Sequence, residues 1–135
     1  MLYIASAHPL PRIAWNGGSP AFNVTDVNDN DRTVAQQFSK PHLAYLGAHT
    51  GCSCSFCPET ETDSLVTQSL LSLRSYLREV TASFGIVELF ECWDGEQDSP
   101  PGAKHQLTPD TLVPEILCYV DPPWFAQVQP SSPSG

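Results

Sequence analysis

ETDSLVTQSLLSLRSYLREVTASF, residues 61–84, carries Val66, Leu70, Leu73, Leu77, Val80 and Phe84 at successive spacings of four, three, four, three and four. That recurrence puts six apolar side chains on one face of an α-helix. Thr60 and Asp63 have the spacing of a capping box, and Glu59, Glu61 and Asp63 set negative charge at the positive end of the helix dipole. Gly85 stands where a helix commonly ends on a left-handed residue. One long helix with a single apolar face needs a sheet to cover, and the rest of the chain is read for its strands.

Leu2–Ala5 is a short apolar stretch stopped by Pro9, and Phe22–Thr25 alternates with period two. His42–Ala48 is apolar and of strand length. Ile86–Trp93 is apolar and aromatic and runs into an Asp94-Gly95 turn, and Ile116–Val120 reads as the last strand. Asp31 can cap a short helix carrying Val34, Ala35 and Phe38. Thr108-Pro109-Asp110 has an N-cap, a proline at the first helical position and an acid in the first turn. Residues 95–106 read as a polar surface loop.

The elements neither alternate strictly nor carry a phosphate-binding glycine loop. The expected class is therefore α+β: a mixed or antiparallel sheet of four to five strands on one main helix near 61–84, with one or two short helices. A length of 135 residues suits one domain, taken as 1–125, with residues 126–135 expected to be a disordered tail.

Fifteen acidic against six basic residues give a net charge of −9, and only Arg74 and Arg78 lie close in sequence. A phosphate backbone or an anionic membrane surface needs clustered positive charge, so neither nucleic acid nor membrane is an expected partner. A basic protein partner or a metal cation fits the charge better. The first residues show no basic n-region and prolines interrupt their apolar run, so no signal peptide is read. Five cysteines, an odd number, then point to reduced thiols in the cytoplasm rather than to a disulfide framework.

The chemistry concentrates in His49-Thr-Gly-Cys52-Ser-Cys54-Ser-Phe-Cys57. Imidazole and thiolate are the ligands Zn²⁺ prefers, and His49, Cys52, Cys54 and Cys57 make the four that a tetrahedral site requires. The compactness of the loop departs from the usual two separated ligand pairs. Cys54-x-x-Cys57 also has the spacing of a redox pair, which gives thiol–disulfide exchange as an alternative. Glu59 and Glu61, however, would raise a thiol pKa there. Cys92 and Cys118 are expected in the core.

Glu88 and Glu91 fall on opposite faces of a strand and are expected to be solvated rather than a catalytic pair. His8 can reach the cysteine loop only if the first strand lies beside it. No nucleophile elbow, Walker loop or dinucleotide fingerprint is present. The resulting expectation is a small acidic cytoplasmic binding or accessory protein, not an enzyme, with zinc in the 49–57 loop. The alternatives are an oxidoreductase using Cys54 and Cys57, or a partner-binding module with neither metal nor catalysis.

Overall fold

The structure is a computed structural model that describes residues 1–14, 22–48, 56, 64–112, 117 and 120–131. Among the described residues, six strands form one sheet: β1 (Leu2–Ser6), β2 (Phe22–Thr25), β3 (His42–Ala48), β4 (Val87–Glu91), β5 (Ala103–Leu107) and β6 (Trp124–Val128), in the order β2-β3-β1-β4-β6-β5. All neighbours are antiparallel except β5 and β6, which run parallel. The α+β class holds, with one main helix and a mixed sheet of six strands rather than four to five.

Helix α1 (Ser64–Phe84) lies across one face of the sheet. Val66, Leu73, Leu77 and Val80 are buried, while Leu70 and Phe84 pack at the edge of the same core. The helix ends where expected: Gly85 takes φ +80°, and its N–H donates to the Thr81 carbonyl at 2.9 Å. Residues 60–63, which carry the expected capping box, lie outside the described residues.

Alternation in the strands divides the core in two. Leu2, Ile4, Val24, Leu46, Leu89, Trp124, Ala126 and Val128 face α1. Tyr3, Phe90 and Cys92 face the other way and pack with Val34, Phe38, Tyr45 and Phe125. The central strand β1 is buried on both faces, which is why Leu-Tyr-Ile-Ala is apolar throughout instead of alternating.

A 3-10 helix (Asp29–Gln37) covers the second face through Val34. It is capped by Asn28, whose side chain accepts from the Asn30 N–H at 3.2 Å, and not by Asp31. The second short helix is also 3-10 (Pro109–Thr111) and starts as read, with Thr108 as N-cap and proline at N1. Arg78 on α1 ties it down through Asp110 at 2.6 Å.

Three expectations for the C-terminal third need correction. Ala103–Leu107 is a strand and not part of a polar loop. It is an edge strand with Lys104 and Gln106 exposed, so only Ala103, His105 and Leu107 turn toward the core. Val120 sits in a bend and Leu117 is helical, so neither belongs to a last strand at 116–120. The last strand is β6, three residues of which fall in the segment expected to be a disordered tail. Trp124, the first residue of this strand, is fully buried. A tryptophan of this size, flanked by Ala126 and Val128 at period two, buries too much apolar area to stay outside. Among the described residues, no helix is long and apolar enough to cross a membrane.

Candidate functional site

His49, Cys52, Cys54 and Cys57 all lie outside the described residues, as does Cys118. Phe56, between Cys54 and Cys57, is described. It is fully buried in the core beneath α1, with its ring centroid 6.2 Å from that of Phe22, which in turn lies 5.5 Å from the Tyr76 ring. Sequence reading named the ligands around this phenylalanine and passed over the anchor itself.

The strand directions bear on His8. β1 does pair with β3, but antiparallel, so Ser6 faces His42. His8 follows that end of β1, whereas β3 leads toward residue 49 from its opposite end, after Ala48. His8 instead sets its ring 5.3 Å from the Phe84 ring. Cys92 is buried as expected, and burial pushes its thiol up to about 11, which keeps it protonated and unreactive near neutral pH. Among the described residues, no group of three or more His, Cys, Asp and Glu side chains comes together to hold a metal.

The structure places three polar clusters on the sheet that sequence reading missed. On the face away from α1, the Tyr3 hydroxyl donates to Asp31 Oδ2 at 3.0 Å, and Gln97 Nε2 donates to both Tyr3 Oη and Asp31 Oδ1 at 3.2 Å. The three side chains come from β1, the 3-10 helix and the turn after β4. Burial raises the Tyr3 phenol above its ordinary range, so the hydroxyl remains a donor. Nearby, Glu88 is only 3% exposed, not solvated as expected. Its carboxylate accepts from Ser39 N–H at 2.9 Å, Ser39 Oγ at 2.8 Å and Lys40 N–H at 3.2 Å. Three donors compensate for taking the charge out of water. Both clusters join segments distant in sequence and read as fasteners of the 3-10 layer to the sheet.

On the α1 face the third cluster is less well satisfied. Glu91 stands opposite Trp124 in the β4–β6 pairing, and the His105 ring meets Trp124 edge-on at 6.1 Å. Glu91 Oε2, Trp124 Nε1 and His105 Nε2 are each buried with no hydrogen bond of ordinary geometry among the described residues, although the Trp124 indole beside Glu91 partly offsets the burial of its carboxyl. Glu88 and Glu91 thus fall on opposite faces, as the strand period requires. Burial is the main influence on Glu91 and pushes its carboxyl up to about 7 from an ordinary 4.5. A folded-state pKa raised in this way favours the protonated form. The stabilisation is complete below about pH 4.5 and lost as pH rises through 7. Glutamine cannot titrate, so wild type is expected to lose roughly 1–3 kcal/mol relative to Glu91→Gln between about pH 5 and pH 8. Urea melts of both proteins at the two pH values check this, and parallel pH dependence would refute it.

No family model matches this chain, and comparison with curated proteins and with solved structures returns no match, so the reading of its chemistry rests on its own residues.

Proposed function

We propose that this chain is a binding or accessory protein, not an enzyme, whose 49–57 segment holds a zinc ion through His49, Cys52, Cys54 and Cys57. The buried Phe56 carries this reading. Cys57 follows it by one peptide bond and Cys54 precedes it by two residues. A fixed aromatic in a run of serine, glycine and cysteine therefore limits how far these ligands stray from one another. A loop anchored at Phe56 has less ordering entropy for metal binding to overcome than a free one.

Purification without chelator, followed by metal analysis, is expected to give about one zinc per chain, as one four-ligand site requires. Cys54→Ser and Cys57→Ser are expected to lose the metal, and Cys92→Ala to keep it. Protein carrying no zinc, or zinc indifferent to both serine variants, would end the proposal.

A partner-binding role finds its own support in Trp93, which is 64% exposed at the end of β4 with Asp94 and Glu96 beside it. An exposed indole among carboxylates suits a lysine- or arginine-bearing protein segment, in keeping with the net charge of −9.

A further inference from the structure

Two of the six basic residues, Arg12 and Arg32, converge on one groove on the face of the sheet away from α1. The groove has a volume of about 330 Å³ and runs between the 3-10 helix and β3, lined also by Asp26, Val27, Val34, Ala35 and Leu43. Val34 is fully buried beneath the groove, while the partly exposed Val27 and Leu43 pack on the same cluster and give the groove an apolar floor. Such a combination of an apolar floor with a few charged groups at its rim is the usual make-up of a small-molecule site.

The remaining arginines have structural work. Arg78 is paired with Asp110, and Arg74 donates to the Leu112 carbonyl. Both hold the short Pro109–Thr111 helix and its flank to α1. Arg12 is held in place by Asp26 Oδ1 at 2.9 Å and by the carbonyls of Leu10 and Leu43 at 3.0 and 3.1 Å. Those three bonds use three of its five N–H groups. Arg32 makes one, from Nε to Asp29 Oδ1 at 2.9 Å, which leaves the outer end of its guanidinium uncommitted among the described residues. Asp26 and Asp29 are each engaged by an arginine. Each of these carboxylates is held through one oxygen, and the N–H groups that Arg12 and Arg32 leave unused are planar guanidinium donors, which match a carboxylate.

We propose that this groove binds a small organic carboxylate, its apolar body on Val27 and Leu43 and its anionic end at Arg12 and Arg32. Arg12, immobilised by two backbone carbonyls and a carboxylate, supplies the fixed donor. Arg32, 77% exposed, supplies the one that closes on the ligand. The overall negative charge repels anions at long range, so a carboxylate is retained only where this local pair outweighs that field.

Hexanoate is a suitable probe, with 1-hexanol as its uncharged counterpart, both at millimolar concentration with the full chain. In ¹⁵N-resolved spectra, hexanoate is expected to shift the amides of Val27, Val34, Ala35 and Leu43, with hexanol binding at least ten-fold more weakly. Arg32→Ala lies on an exposed side chain and is expected to weaken hexanoate ten-fold or more with the fold intact. Arg12→Lys keeps the charge but loses the planar fork and is expected to weaken it similarly. Absence of shifts, equal binding of hexanol, or unchanged affinity in Arg32→Ala would each overturn the proposal.

Discussion

A chain ended after Pro123 is expected to lose cooperative folding altogether. The cut removes β6, which lies between β4 and β5 in the sheet, paired on both sides. It takes Trp124, Ala126 and Val128 out of the main core, all fully buried. Removing a buried tryptophan side chain alone costs about 3–5 kcal/mol. Domains of this size hold about 5–15 kcal/mol in total. Loss of the indole, two further core side chains and two strand ladders exceeds that reserve. It also leaves β5 without a neighbour. The check is a thermal melt followed by circular dichroism, with one-dimensional NMR for methyl dispersion. A chain ended after Ser131, which keeps β6, is expected to melt within about 0.5 kcal/mol of the full chain by the standard of exposed surface changes. A cooperative transition in the shorter truncation would show that β6 is dispensable and that the sheet closes without it.

The second large effect lies on α1. Leu77→Ala is expected to cost about 2–5 kcal/mol, because the side chain is fully buried against the sheet and its removal adds a cavity to the lost transfer energy. Leu71→Ala, on the same helix but 54% exposed, is expected to stay within about 0.5 kcal/mol. Urea denaturation at one pH, with the midpoints compared at constant slope, reads both. Equal effects at the two positions would mean that α1 does not present this face to the sheet.

That contrast also shows what could be read without coordinates. Leu73, Leu77 and Val80 announce their burial because helical spacing is local: each residue needs only its neighbours three and four away to define a face. β1, β3 and β4 were legible for a similar reason, since strands buried on one or both faces are rich in apolar residues. β5 was not. As an edge strand it spends Lys104 and Gln106 on solvent and offers only Ala103, His105 and Leu107 to the core, too weak an alternation to stand out among polar neighbours. β6 was hidden by its setting. Pro122 and Pro123 precede it, and Gln129 and Pro130 follow, so a five-residue strand looked like the start of a tail.

The polar clusters were illegible for a different reason. Glu88 finds its donors at Ser39 and Lys40, and Gln97 finds Tyr3 and Asp31, across 48 to 94 residues of chain. Composition and periodicity say nothing about who meets across such distances. A carboxylate therefore reads as solvated by default, and Glu88 is not. The cysteine loop is the opposite case: its ligand types were plain in sequence, whereas the one described residue within it, Phe56, earns its place through packing against Phe22.

The interior position of β6 also governs the timing of folding during synthesis. Translation delivers β4 and then β5, but the strand that joins them comes after both. Until residues 124–128 have left the ribosome, β4 exposes one edge and β5 has nothing to pair with. The nascent chain therefore carries an open sheet edge, a known hazard for association with other chains. Sheet completion is reserved for the final strand, so a chain stalled before Trp124 is a substrate for chaperones and proteases and not a partly working protein.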